Sequence, residues 1–327
     1  MRRAAIDVGT HSVRLLVADV AGDSVKPVLR RLEVTRLGEG LGTGSGRAAG
    51  EGTRGACPGK TPPAEGDRGG LDHSQVLLPQ AIGRTVRAVR EFWQLAHQHG
   101  AERVVVVGTS AVRGAANRAS LVRDLQPIPL RVLTGEEEAE LGYRGVRAGV
   151  TGLQDPVLVV DVGGGSTELA LGVGQRVLRK VSLPAGSVRL TERYLHGDPP
   201  AEVELQAARR EVAELLRPHR HAFSGARVAV GVGGTVTSLA AVDLALEPYD
   251  PDRVHGHRLP AARVEAISRG LCTMPLALRR RVPGLLPERA DVICAGALVV
   301  RTVLEAFQLP ELVVSESDLL WGALLFL

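Results

Sequence analysis

Apolar and polar positions alternate from Ala4 to Asp19, and a glycine at Gly9 interrupts them. A period of two with an internal glycine predicts strand, tight turn and returning strand. A third strand is predicted near Val28–Thr35. The pattern then collapses after Arg36-Leu37-Gly38-Glu39-Gly40-Leu41. Residues 42–71 are glycine-rich, carry Pro58, Pro62 and Pro63, and hold hardly an aliphatic side chain. Such a stretch cannot bury enough surface to offset its ordering entropy, so a disordered surface insertion without catalytic role is expected. Helical periodicity covers about residues 74–99. A buried strand follows at Val104–Val107 and ends in Gly108-Thr109-Ser110; a helix starting at Ala111 carries Arg113. A short strand at Leu130–Leu133 leads into a helix running from Thr134 to about Gly149.

The second half begins the same way, with a strand at Val157, a glycine turn and a returning strand. Leu178–Leu183 reads as a further strand, and Pro184-Ala185-Gly186-Ser187 opens a helix carrying Arg189 and Arg193. Another helix spans about 200–217. Val228–Val232 then runs as a strand into Gly233-Gly234-Thr235 and a helix. Helices are expected over most of 260–306. A last strand at Leu312–Val314 precedes a closing helix to Leu327 that folds back on the first domain.

Two segments of this pattern are copies of each other. Ala5-Ile6-Asp7-Val8-Gly9-Thr10-His11-Ser12-Val13-Arg14 matches Val159-Val160-Asp161-Val162-Gly163-Gly164-Gly165-Ser166-Thr167-Glu168, with Asp on Asp, Gly on Gly and Ser on Ser. A strand ending in Asp, a glycine turn and a returning strand leave backbone N–H groups and a hydroxyl aimed at one spot, an anion cradle. Two cradles facing each other imply a phosphate-bearing substrate held between two related α/β domains. The expected division is 1–125 and 126–305, with 306–327 closing the fold.

Phosphate contacts are therefore expected from Gly9, Thr10 and Ser12, from Gly163, Gly164, Gly165 and Ser166, and from a third strand-following loop, Gly233, Gly234 and Thr235. One glycine loop would be read as a turn; three, two of them duplicates, are not. No Gly-x-x-x-x-Gly-Lys-Ser/Thr is present, and no Gly-x-Gly-x-x-Gly opens a helix after the first strand, which excludes P-loop and dinucleotide readings.

Composition narrows the class. The 327 residues suit two domains with full cores, and 44% hydrophobic with 23% charged residues is ordinary for a globular protein. Aromatics at 3% argue against a stacking surface for nucleic acid. The net charge is only +4, and Lys26, Lys60 and Lys180 are the only lysines. Arginine's fork suits phosphate, although a compositional bias accounts for this excess more simply. Cys57, Cys272 and Cys294 show neither metal spacing nor a paired framework. Asp7 interrupts the first apolar run too early for a signal peptide, and no uncharged run is long enough to span a bilayer. A cytoplasmic protein without membrane or nucleic-acid partners is expected, and a homodimer is compatible with that.

Asp7 and Asp161 end strands beside anion cradles, where a carboxylate is costly unless a cation bridges it to phosphate; Mg²⁺ is implied. Each could instead cap its own turn. Glu168 on the returning strand favours the metal reading for Asp161, while both readings stand for Asp7. Within Glu136-Glu137-Glu138, Thr134-x-x-Glu137 has capping-box spacing, and Glu136 and Glu140 suit a solvated first turn. Glu138 is left to face the cleft, where a carboxylate can activate water. Ser110 and Arg113 sit at a strand-to-helix junction that favours anions, and Arg14 lies on the first returning strand. Either arginine could neutralise a transferring phosphoryl group or form a surface ion pair. His255 and His257 are read as structural and Trp321 as core.

These motifs, with Gly-Thr-Ser-Ala-Val-Arg at 108–113, Gly-Glu-Glu-Glu-Ala at 135–139, His255-Gly256 and Arg289-Ala290-Asp291-Val292-Ile293, resemble the exopolyphosphatase / guanosine pentaphosphatase family. That family belongs to the actin, sugar-kinase and chaperone-ATPase superfamily. The resemblance implies two duplicated ribonuclease H-like (actin-like ATPase) domains around an interdomain cleft, and Mg²⁺-dependent removal of the terminal phosphate of inorganic polyphosphate. It also implies Glu138 as the water-activating base, Glu168 in metal binding and catalysis, and Asp161 near the metal. Ser12, Arg113 and Gly163–Ser166 match phosphate contacts. Guanosine pentaphosphate hydrolysis is the alternative activity; a superfamily kinase and a non-catalytic polyphosphate sensor are further ones. Two departures stand out. Asp318-Leu319-Leu320-Trp321-Gly322 replaces the family's Gly-Leu-Arg-Glu-Gly, and the insertion after Leu41 is unusual. The added helical domain of longer members has no room here.

Overall fold

The same β-hairpin begins each half of the molecule, and a sheet grows outward from each copy. The computed structural model describes residues 1–41 and 75–327, so the expected insertion at 42–71 lies outside the described residues. In the first half, β1 (Arg2–Val8) pairs antiparallel with β2 (Ser12–Ala21), which pairs with β3 (Ser24–Val34). Helix α1 (Pro79–Gln98) crosses to β4 (Arg103–Gly108), parallel to β1 on its other side. Two short helices, α2 (Ser110–Gly114) and α3 (Arg118–Leu125), lead to β5 (Arg131–Val132). The strand order is β3-β2-β1-β4-β5. Strand β5 pairs with β4, so the first sheet continues past the boundary expected at residue 125.

Helix α4 (Gly135–Gly149) leads to the second half, where β6 (Val157–Val162), β7 (Thr167–Val173) and β8 (Arg176–Leu183) repeat the three-strand meander. Helices α5 (Ser187–Tyr194) and α6 (Glu202–Leu216) precede β9 (Val228–Val232), parallel to β6 as β4 is to β1. Then come α7 (Gly233–Asp243), α8 (Pro251–Val254), β10 (Arg258–Pro260), α9 (Ala261–Thr273), α10 (Leu276–Arg279), α11 (Ile293–Ala306), β11 (Glu311–Val314) and α12 (Leu319–Phe326). The second sheet runs β10-β11-β9-β6-β7-β8. The inner strands Val104–Val107, Val157–Val160 and Val228–Val232 are valine-rich, as suits strands covered on both faces.

Several element boundaries differ from the sequence reading. Helix α1 starts at Pro79 rather than near residue 74, because Leu78 before a proline is held extended (φ −68°, ψ 137°). The helix expected from Ala111 begins one residue earlier and ends at Gly114; α3 is separate. The helical stretch expected over most of 260–306 breaks between Arg279 and Ile293, and Gly284 there has φ +85°. Strand β10 carries too few residues to show periodicity.

The first core, built on Ile6, Leu15 and Phe92, is separate from the larger second core around Leu158, Leu239 and Val299. Two helices join the halves. Helix α4 packs Ala139, Tyr143 and Val146 on the second sheet and Leu141 against Val107 and Leu133 of the first. Helix α12 returns to the first sheet, covering Ala5, Leu16 and Ala18 with Leu320, Ala323 and Leu324. Where α4 and α12 cross, a Cβ on Gly145 would lie 2.0 Å from the Asp318 carbonyl oxygen and one on Gly322 would lie 2.1 Å from that of Leu141. Glycine is required at both positions for the backbones to approach this closely.

Candidate active site

The two duplicated turns have the same internal bond. The Gly9 N–H donates to the Ser12 carbonyl at 3.0 Å, and the Gly163 N–H donates to that of Ser166 at 3.0 Å. Each turn is then pinned by a different neighbour. Gly38 and Arg36 donate backbone N–H groups to the Thr10 and His11 carbonyls at 2.8 and 2.9 Å. The start of α5 does this for the second turn, Ser187 and Val188 donating to Gly163 and Gly164 at 2.9 Å. The tips meet across the cleft: a Cβ on Gly165 would lie 2.7 Å from the hydroxyls of both Thr10 and Ser110.

Between them lies a cavity of 70 Å³. Of the residues singled out in the sequence, it is lined by Asp7, Gly9, Thr10, Ser12, Arg14, Ser110, Glu138, Asp161, Gly163, Gly164, Gly165, Ser166, Gly233, Gly234 and Thr235. Gly233 does not form a separate loop. With φ +83° it turns β9 directly into α7, so that helix's amino terminus and its free N–H groups face the cavity. Two residues stand behind the wall instead. Arg113 donates from Nη1 to Glu138 Oε2 at 2.9 Å and to the Leu133 carbonyl at 3.0 Å, and so holds Glu138 rather than lining the cavity. Glu168 is 3% exposed and accepts from the Ser182 hydroxyl at 2.6 Å.

Strand register sets the charges. Asp7 lies opposite Arg14 and, at the equivalent rung of the second hairpin, Asp161 lies opposite Glu168. Arg14 donates from Nε and Nη2 to Asp7 Oδ2 at 3.1 and 2.8 Å, and from Nη1 to Asp318 Oδ2. All three of its nitrogens are engaged by carboxylates, which leaves little of its charge for a substrate phosphate. Burial pushes Asp161 up to about 7 against the pull of Arg14. Burial and the neighbouring Asp161 raise Glu168, and burial and Glu168 raise Glu138 well above the usual carboxylate range, with Arg113 opposing.

The capping box of α4 places Glu138. Thr134 Oγ1 accepts from the Glu137 N–H at 3.2 Å, and Glu137 Oε2 accepts from the Thr134 N–H at 2.8 Å. Glu136 and Glu140 lie outward toward Lys180. The first turn of α4 thus sorts its glutamates as the spacing suggested, and only Glu138 is turned into the cavity.

Arg289 was not singled out as a site residue. It is 8% exposed, lines the cavity, and packs so tightly that a Cβ on Gly234 would sit 2.2 Å from its guanidinium. Among the described residues it has no carboxylate partner; burial and Arg14 lower it to about 10. A buried, unpaired guanidinium is costly unless a ligand pairs it. Its sequence signal was an arginine at the foot of an almost wholly apolar helix. Burial, with Arg289 and Arg36, pushes His11 down to about 4, so its imidazole is neutral in this cavity.

A cation fits this donor set. Asp7 Oδ1 is buried without a hydrogen-bond partner, and Asp161 lines the same cavity. Among the described residues no three acidic, histidine or cysteine side chains converge on a closed cage. One or two carboxylates with room for water and phosphate oxygens is the manner in which Mg²⁺ is held.

Comparison with known proteins agrees with this architecture. Residues 67–325 match the model of the Ppx/GppA phosphatase family. Exopolyphosphatase 2 of Mycobacterium tuberculosis is 37% identical over 344 aligned positions, covering 100% of this chain and 98% of that protein. The crystal structure of the Aquifex aeolicus member of the Ppx/GppA family superposes with a TM-score of 0.76 at 30% identity, over 99% of this chain and 96% of that one. An exopolyphosphatase from Cytophaga hutchinsonii shares the fold, with a TM-score of 0.82 at 23% identity over 98% and 96% of the two chains. No helix among the described residues is long and apolar enough to cross a membrane. With its duplicated actin-like domains and two glycine turns closing on one acidic cavity, the chain belongs to the Ppx/GppA phosphatase family.

Proposed function

We propose that the chain is an exopolyphosphatase that releases the terminal phosphate of inorganic polyphosphate. The observation that carries this is Glu138, a buried carboxylate locked by Arg113 at 2.9 Å and turned into a cavity walled by two anion cradles. The terminal phosphoryl group sits between the Thr10–Ser12 and Gly163–Ser166 turns, with the amino terminus of α7 and Arg289 on the bridging side. Glu138 takes a proton from water, the water oxygen attacks phosphorus, and the anhydride P–O bond breaks. Its electron pair leaves with the shortened chain. Arg289 and the turn N–H groups stabilise the charge that develops on the oxygens. Asp161 and Asp7 would hold Mg²⁺, which would supply further charge neutralisation when bound. The raised affinity of Glu138 for protons makes it a strong base once ionised.

Replacing Glu138 by Gln keeps the Arg113 contact and removes the base. Phosphate release from long-chain polyphosphate should fall by about 10²–10⁴-fold, with polyphosphate binding retained; unchanged turnover would refute the assignment.

One observation favours a second reading, hydrolysis of guanosine pentaphosphate at its 5′ phosphate. A 330 Å³ chamber adjoins the cavity at Arg14, Gly233, Gly234 and Arg289 and is walled by Leu16, Leu32, Tyr249, Leu286 and Trp321. An apolar chamber beside a phosphate site suits a nucleoside better than a bare phosphate chain. Phosphate release from long-chain polyphosphate, tripolyphosphate, guanosine pentaphosphate and ATP, with and without Mg²⁺, separates the two. Leu286→Arg should impair only the nucleotide substrates.

A further inference from the structure

Asp318 reaches the catalytic cavity only through Arg14. It lines the adjoining chamber, not the cavity itself, and is 6% exposed. Its two oxygens have separate tasks. Oδ1 accepts from the Leu320 N–H at 2.9 Å and caps α12, while Oδ2 accepts from Arg14 Nη1. Arg14 turns its other two nitrogens on a single oxygen of Asp7, Oδ2, leaving Oδ1 buried and unpartnered. The link is held from behind, because the Asp318 backbone is packed against α4 at Gly145, seven residues along the helix that carries Glu138.

We propose that Asp318 is a positioning residue that draws Arg14 away from the substrate phosphate and, through it, fixes Asp7 with Oδ1 facing the cation. Without this carboxylate, Arg14 would have a free Nη1 beside a phosphate site, and the cavity would be one charge more positive. Cation binding would weaken and anion binding would tighten. A residue that only capped α12 would produce neither change. The proposal depends on the exopolyphosphatase reading only for the identity of the anion, since cation binding is measured without substrate.

Asp318→Asn separates the two tasks, because an asparagine oxygen still caps the helix. In the full-length protein, Mn²⁺ affinity read by electron paramagnetic resonance should fall about tenfold, the equivalent of one nearby charge at close range. Steady-state kinetics on polyphosphate should show kcat and KM both falling, because an anion held tightly in the ground state is not helped in the transition state. Asp318→Glu, which keeps the charge, should restore Mn²⁺ affinity and KM. If Asp318→Asn changes thermal stability alone and leaves Mn²⁺ affinity and KM at wild-type values, the proposal is overturned. Should that variant not fold, Arg14→Lys probes the same link from the other end. It keeps the charge but lacks the fork that holds Asp7 and Asp318 together, so Mn²⁺ binding should weaken, and an unchanged affinity there overturns the proposal equally. Absence of polyphosphate turnover in the wild-type protein, with the Mn²⁺ shifts of the variants intact, would instead count against the substrate assignment.

Discussion

The two hairpins share a backbone and differ in charge. In each, an aspartate ends the first strand and a glycine N–H closes on a serine carbonyl at 3.0 Å. At the rung where the first hairpin sets Arg14 opposite Asp7, the second sets Glu168 opposite Asp161. The first pair neutralises itself and, with Asp318, forms a closed ion network. The second pair is two buried acids, and Glu168 is supported by the hydroxyls of Ser182 and Ser166 rather than by a cation. A duplicated turn builds a symmetric cleft, but chemistry needs asymmetry. Acid opposite acid stores negative charge that a cation can relieve, whereas acid opposite base stores none.

The largest expected effect tests this difference directly. Glu168→Gln, which discharges the second pair, should lower kcat by about 10²–10³-fold, while Arg14→Gln in the first should cost far less. Equal losses in a phosphate-release assay would erase the distinction between the hairpins. Arg289→Met comes next. Losing hydrogen bonds to a charged group worth about 1.5–3 kcal/mol should raise KM roughly 10–100-fold. The melting temperature of the unliganded protein should hold or rise, since an unpaired buried charge is gone. A fall in stability with no change in KM would make Arg289 structural.

A pH titration of stability sharpens the same contrast. Unfolded carboxylates titrate near 4, but Asp161 in the folded protein titrates at about 7. The folded state therefore binds more protons between these values. The stability that protonated Asp161 contributes is complete below about pH 4 and is lost as pH rises through about 7. Calorimetry without metal should show the melting temperature falling over that window. Mg²⁺ should restore more of it at pH 8 than at pH 6, and Asp161→Asn should flatten the curve. A profile equally steep in that variant would assign the effect elsewhere.

The smallest effects come from the turns. Gly165→Ala puts a methyl group 2.7 Å from the Thr10 and Ser110 hydroxyls of the opposite domain, so it should wedge the cleft and raise KM about tenfold. Gly9→Ala crowds the Ser12 carbonyl of its own hairpin, at 2.9 Å, and should cost about 1–3 kcal/mol of stability. If both variants affect only stability, the two turns do not meet in the working enzyme.

Much of this site could be read in the chain because its signals are local. Thr134 and Glu137 are three residues apart, so a capping box and the direction of Glu138 follow from short-range geometry. The repeated Asp-x-Gly turns follow from glycine's backbone freedom. Arg14 and Arg113 show where such reasoning stops. Either could have met phosphate or a carboxylate, and the choice fell to Asp318, 304 positions away along the chain, and to Glu138, 25 positions away. Arg289 gave almost no local signal, because a guanidinium's role depends on whether an acid folds near it.

The sequence by itself determined the two hairpins, their glycine turns and the helix that presents Glu138, since each rests on backbone preferences within a few residues. The tertiary structure decided which charges remain unspent in the cavity. Electrostatic pairing is settled by whatever chain returns to the site, and here the carboxy-terminal helix brings Asp318 to Arg14 while nothing comparable reaches Arg289, Asp161 or Asp7 Oδ1 among the described residues.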